Sequence, residues 1–404
     1  MSLVVVMIND QRPNKYLLVL FVLFLLSMKW VGPGFSSGAG DTNFIRCRES
    51  ERQELLTFRQ GLVDNRGRLS SWEREEDKND CCKWRGVWCS NRTGHVIKLD
   101  LGGPSFGPHR SGLSDKLSPS LLELNHLESL GNLSKLHHLH LGSFRYHMKA
   151  ENLDLLLHLS SLTHLEMSSV DLSGAIYWVD IIKRLPSLSV LLLRECNLFS
   201  VTSPSISFVN TSASISTLDL SYNSLDSTMF RWLFNLSSTL FELRLGANQL
   251  TGSIPDAFRH MTSLQYLQSL DLSGNMFSGK PSKLLHNLRG SNLVELRLAA
   301  NQLEGPIQDA FENMTSLTNL DLSFNQLEGV IPKSLGNLCN LQSLDLSINF
   351  FSGNLPHFLH NLFGCAEDIL ESSFLNENQL TGPLPDIEGP IPSEGYPVAE
   401  STIQ

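Results

Sequence analysis

The chain has 404 residues, 41% of them hydrophobic and 18% charged, with a formal net charge of −10. That is ample apolar material for a sizeable core and too little charge for a disordered chain. A net acidic sequence with no basic stripe argues against nucleic acid as a partner.

At the N-terminus, Arg12 and Lys15 precede the apolar run Tyr16 to Leu26, which Lys29 breaks before the small residues GFSSGAG. This pattern reads as a secretory signal peptide over residues 1–39, with cleavage near Ala39. The run is short of the roughly 20 residues a membrane span needs, so an uncleaved anchor is the weaker alternative. Secretion makes disulfides permissible. It also makes Asn91, Asn132, Asn210, Asn235 and Asn313, each in an N-x-S/T triplet, expected glycosylation sites.

Residues 40–93 form a separate N-terminal unit. Ser50-x-x-Gln53 is a candidate capping box, and Leu55, Phe58, Leu62 and Val63 give one apolar face of a helix of about 13 residues. Then comes CCKWRGVWC, Cys81 to Cys89, with Cys47 upstream. Such a unit suits the open end of a repeat array, and a unit this small needs staples. The four cysteines alone allow three pairings, with a zinc site as the rival reading.

From residue 94 to 386 a repeat dominates, as in STLFELRLGANQLTGSIP from Ser238 and TSLTNLDLSFNQLEGVIP from Thr315. The frame is LxxLxxLxLxxNxLxGxIP, with asparagines at 223, 248, 275, 301, 325, 349 and 378. It predicts an α/β leucine-rich repeat solenoid of about ten or eleven units, its short strands stacked as a curved parallel sheet with leucines inward. Each asparagine is expected to bond the backbone of adjacent turns, and the GxIP end to form a turn and a convex-side segment. The array is irregular over 102–158, as though a repeat were lost between Asn125 and Ser134. Cys339 and Cys365 lie about one repeat apart, where neighbouring coils approach within disulfide range, so they are expected to pair. Cys196 takes an asparagine position and reads as a small buried thiol.

No GxSxG, HExxH, glycine-rich phosphate loop or kinase signature occurs, so catalysis is not expected and no catalytic residue, metal or cofactor is assigned. The outward positions of stacked strands form the candidate binding face. Its central members are Asp100, His140, Glu166, Leu192, Asp219, Arg244, Asp271, Arg297, Asp321 and Asp345, with Glu242 and Glu295 two residues before the arginines. The signs alternate from Asp219 to Asp321, which predicts attraction between adjacent strands of roughly 0.2–1 kcal/mol per pair. His138, His140, His164 and Glu166 are expected to cluster. A solvated face, a pH-sensitive patch and a metal site are the readings such a cluster allows, in falling order.

The stretch CRESERQELLTFRQGL…LSSW…DCCKWRGVWCSNRTGHVIKLDL resembles the plant-type cap of extracellular leucine-rich repeat proteins, which include receptor-like kinases, receptor-like proteins and polygalacturonase inhibitors. GxIP is the plant variant of the repeat, and the resemblance runs from residue 47 to about 386. In wording the chain is most similar to receptor-like proteins of the group that senses fungal xylanase. That resemblance implies the pairs Cys47–Cys81 and Cys82–Cys89. It also implies an extracellular module that recognises a protein, peptide or glycan ligand in defence signalling and acts with a partner receptor kinase. Such proteins continue into further repeats, a second cap, a membrane helix and a cytosolic tail, whereas residues 387–404 read as a degenerate tail, so truncation is expected. With such a helix the product belongs at the cell surface; without it, in the apoplast. A secreted inhibitor of a microbial wall hydrolase, similar to polygalacturonase inhibitors, is the alternative, and a non-functional fragment a further one.

Overall fold

The computed structural model describes residues 46–382, with its longest breaks at 73–79, 103–121, 124–132, 201–213, 254–265 and 360–368. The expected signal peptide, residues 125–132 of the stretch Asn125 to Ser134 where a repeat is expected to be lost, the tail at 387–404, Val63, Cys365, Asn132, Asn210 and Asn235 lie outside the described residues.

The LxL triplets fold into three-residue strands because alternate residues face opposite sides of an extended chain. Typically the central leucine is buried and its neighbours are outward, as in His138–His140, Glu242–Arg244 and Asn319–Asp321. These strands make one 12-stranded sheet in simple sequence order. Its first member, Val87–Cys89, runs antiparallel to Val96–Asp100, and the following strands are parallel. From Val96–Asp100 to Ser343–Asp345 leucine pairs with leucine, as Leu243 does with Leu218 and Leu270, and at the last step Leu344 meets Ser373. The register therefore aligns the outward residues into two straight columns. The segments after the asparagines form a second parallel sheet of six strands, Thr251–Ser253 to Gln379–Thr381. In one repeat the Ile-Pro pair then leads into a 3-10 turn, Lys333–Asn337. A continuous apolar core fills the space between, from Leu55 to Leu359.

The asparagines close each coil. Asn301 Nδ2 donates to Leu298 O of its own coil (3.1 Å) and Leu272 O of the coil before (3.0 Å), while its Oδ1 accepts from Phe277 N (3.1 Å). Asn248, Asn275, Asn325 and Asn349 repeat this pattern, and Asn378 carries it to the last described coil. The leucine carbonyls thus accept from two successive asparagines, which links the coils from Asn223 to Asn378 to their neighbours. Cys196 occupies the equivalent place in its coil, fully buried, with its thiol donating to Met167 O (3.2 Å). Burial pushes that thiol's pKa up to about 12.

The cap helix is Glu49–Gln60, with Leu55 and Phe58 buried. It starts earlier than a capping box at Ser50 requires. Arg52 N bonds Arg48 O (2.9 Å), so Ser50 lies within the first turn, and Leu62 falls beyond the helix, half-buried. Glu51 instead anchors the helix. Its buried carboxylate accepts from Val96 N (2.7 Å) and contacts His95 Nδ1 (2.8 Å), joining the cap to the first parallel strand. Cys47 is joined to Cys81 and Cys82 to Cys89, with Cα separations of 5.3 and 5.4 Å. These sulfurs are the group of potential metal ligands among the described residues, and disulfide bonding leaves them no thiolate for zinc. Trp72 stacks on Trp84 behind them, at 5.3 Å between ring centroids. Cys339 is disulfide-bonded, and Cys365, its expected partner, is among the residues not described.

Asn301→Leu leaves the Phe277 amide without its partner while the shared carbonyls keep one, so it should cost about 1–3 kcal/mol in urea unfolding. The same change at half-exposed Asn378 should cost less. Thiol titration should find no reactive cysteine in the native chain and one, Cys196, after denaturation. Three would mean that Cys339 and Cys365 are not joined to each other.

Candidate ligand-binding face

The outward residues of the large sheet form the face. One column reads Lys98, His138, His164, Val190, Thr217, Glu242, Ser269, Glu295, Asn319 and Ser343. The other reads Asp100, His140, Glu166, Leu192, Asp219, Arg244, Asp271, Arg297, Asp321 and Asp345, and ends on Phe374. Each residue anticipated for the face therefore lies in one of two columns.

The alternating charges do not pair across strands as expected. Arg244 is held by Glu242 of its own strand, and Arg297 by Glu295, both at 2.6 Å. The aspartates turn the other way. Asp219, Asp271, Asp321 and Asp345 each accept from the amide of the serine two residues on, at 2.9, 2.9, 3.0 and 2.9 Å. This local bond competes with a cross-strand contact because the aspartate side chain is short and the turn amide is close. Burial raises the Asp321 pKa and neighbouring Asp345 adds to that, against the lowering effect of Ser323 and Arg297. The guanidinium groups remain available to solvent, with side-chain exposures of 41% and 48%.

The four-residue cluster expected around the histidines splits in two. His138 and His164 meet ring to ring, with centroids 4.1 Å apart. His140 lies between carboxylates, its Nδ1 3.0 Å from Asp100 and its Nε2 3.4 Å from Glu166. Here the ring contact stays within one column and the His140–carboxylate contacts within the other.

A third feature was not anticipated. The residue before each ladder asparagine sits on the rim in the left-handed region, including Tyr222, Ala247, Ala300 and Phe324 with φ of 58°, 53°, 52° and 53°. Tyr222 and Phe324 are exposed, and Arg194 stacks on Tyr222 at 4.4 Å. Between them stand Ala247, Gly274 and Ala300, so the rim is low over about 19 Å, four strand spacings. Arg244 and Arg297 belong to the repeats beside this dip. The signal lay in the repeat alignment, at a position the frame treats as variable.

A disulfide-stapled helical cap followed by strands stacked in register, with an asparagine ladder behind them, defines a leucine-rich repeat solenoid. The leucine rich repeat N-terminal domain family matches residues 48–90, and leucine rich repeat families match 239–261, 266–288 and 291–351. Receptor-like protein EIX1 of Solanum lycopersicum is 34% identical over 311 residues, which are 65% of this chain and 29% of that protein. Receptor-like protein EIX2 of the same plant is 34% identical over 336 residues, 70% of this chain and 32% of that protein. The chain is similar to these plant leucine-rich repeat receptor-like proteins and spans about a third of the length of these curated relatives. Among solved structures, the ectodomain of the Arabidopsis receptor kinase HAESA, in complex with the peptide hormone IDA and the co-receptor SERK1, superposes with a TM-score of 0.59 at 27% identity. That match covers 82% of this chain and 54% of that one. A plant ice-binding protein shares the fold, with a TM-score of 0.54 at 23% identity over 83% of this chain and 96% of that one. No helix among the described residues is long and apolar enough to cross a membrane.

Burial lowers the pKa of His138 and His164 from the ordinary 6.5. The positive charge of Lys98 adds to this at both, and His164 and His137 add to it at His138. Unfolded, both rings bind protons more readily than in the fold, so the folded state is favoured above pH 6.5 and loses stability as pH falls through the lowered value. His138→Gln with His164→Gln should flatten the fall in melting temperature between about pH 7.5 and about pH 5. Calorimetry showing an unchanged slope would contradict this.

Proposed function

We propose that this chain is the ligand-recognition module of an extracellular receptor-like protein in plant defence, and that it binds a protein or peptide ligand on the open face of its large sheet. The observation that carries this reading is the two-column ladder of outward side chains held in register over successive repeats. Such a face is rigid before it meets a ligand, so little ordering entropy is lost on binding. The low rim between Tyr222 and Phe324 admits an extended segment to the sheet, where Arg244 and Arg297 offer exposed donors suited to carboxylates. The likeness to a receptor ectodomain solved with a peptide hormone and a co-receptor supports both the ligand class and a partner receptor kinase. The module itself is non-catalytic and acts through that kinase. On this reading Asn91 and Asn313, both exposed, carry glycans, and Cys339 pairs with Cys365.

Peptides selected from a random library on the full chain should lose about tenfold or more in affinity for Arg244→Ala plus Arg297→Ala. They should be indifferent to Glu328→Ala on the second sheet. Selected peptides that bind both variants equally would place recognition elsewhere. Inhibition of a fungal polygalacturonase by the purified chain would favour the inhibitor reading instead.

A further inference from the structure

The N-terminal end of the open face differs from the rest. In register order its first column holds Trp88, Lys98, His138 and His164, followed by uncharged Val190. The second column holds Asp100, His140 and Glu166, followed by Leu192. Lys98 Nζ lies 3.3 Å from Asp100 and 4.6 Å from the centroid of the Trp88 ring. His137 is turned away from the pair, with Nδ1 on Ser161 O at 3.0 Å.

We propose that Lys98, His138 and His164 form a carboxylate-capturing site for an acidic side chain of a peptide or protein ligand, and that the site gains affinity as the medium becomes mildly acidic. The inference rests on the open face being a recognition surface, and it names the chemistry recognised at that end.

The charge balance carries it. With all three imidazoles neutral, the patch holds one cation, Lys98, against two carboxylates, Asp100 and Glu166. It then repels an anion. Two protons turn that balance from net negative to net positive. His140 already has a carboxylate on each side, so its proton would be neutralised locally. The stacked pair has no such partner. Thr163 Oγ1 donates to His137 O (3.0 Å) and therefore receives the Nδ1–H of His164 (2.9 Å), leaving Nε2 as the nitrogen that takes up a proton. Two charged rings 4.1 Å apart, beside Lys98, repel one another. Burial makes both harder to protonate than a free imidazole, the charge of Lys98 adds to this at both, and His164 adds to it at His138. An anion set against them relieves that repulsion, so anion binding and proton uptake reinforce each other. A glycan is the weaker occupant, because Lys98 already occupies one face of Trp88 and the two imidazoles face each other, leaving no free pair of rings as a sugar platform.

The full chain should be titrated with an acetylated tri-aspartate peptide while the ring resonances of His138 and His164 are followed by NMR. Both apparent pKa values should rise with the peptide bound, and affinity should be about tenfold higher at about pH 5.5 than at about pH 7.5. His138→Gln plus His164→Gln should remove that ratio, and Lys98→Met should weaken binding at both pH values. Unshifted resonances, or a pH ratio that survives the double substitution, would overturn the site. Tighter binding of trigalacturonate or sulfate than of the peptide would overturn its assignment to a peptide carboxylate. Loss of ligand binding on changing Arg244 and Arg297 alone bears on the recognition reading and leaves this site untouched.

Discussion

A coil that leaves its strand every two dozen residues exposes backbone N–H and C=O groups at a turn that must still pack between two neighbours. Water cannot reach them, and an unpaired buried polar group costs about 1–3 kcal/mol. The asparagine side chain meets this constraint because one amide offers two donors and an acceptor within a small volume. In this chain each amide spans its own coil and the preceding one, so the coils from Asn223 to Asn378 are hydrogen-bonded to their neighbours behind the sheet as well as within it. The rest follows from that linkage. Fixed coil spacing fixes strand register, and register sets which outward residues become neighbours.

Most of the architecture was legible because it repeats. The leucine alternation gave strand positions, and the asparagine spacing gave the ladder. The cap cysteines were read from a family likeness. What escaped depended on contacts the repeat does not encode. Glu51 reads as an ordinary helix-surface acid, yet it is buried against His95 and Val96, 44 and 45 residues away. The aspartates of the face were correctly placed, but their partners were not, since a turn amide two residues on outcompetes an arginine on the next strand. The histidines were correctly judged to be neighbours. Only their column membership, set by register, separates the ring pair from the carboxylate-bracketed His140. The rim was missed because a variable position carries no weight in a consensus, although it decides whether the face is open or walled.

The open face is thus divided along its length. At the N-terminal end it carries the histidines and Lys98, in its middle exposed arginines behind a low rim, and toward the last described strands aspartates bound to their own turns. A rigid ladder of this kind can read an extended ligand at several points with little cost in ordering. Different repeats then supply different chemistry to one continuous surface.

Native-state hydrogen exchange on Asn275→Ala tests the central claim most directly. Asn275 accepts from Leu250 N and donates to Leu245 O and Leu272 O, so its loss should release protection at Leu250 and in the strands on both sides, Glu242–Arg244 and Ser269–Asp271. Loss confined to the Leu250 amide, with both strands as protected as before, would show that leucine packing alone sets the register and that the ladder does not.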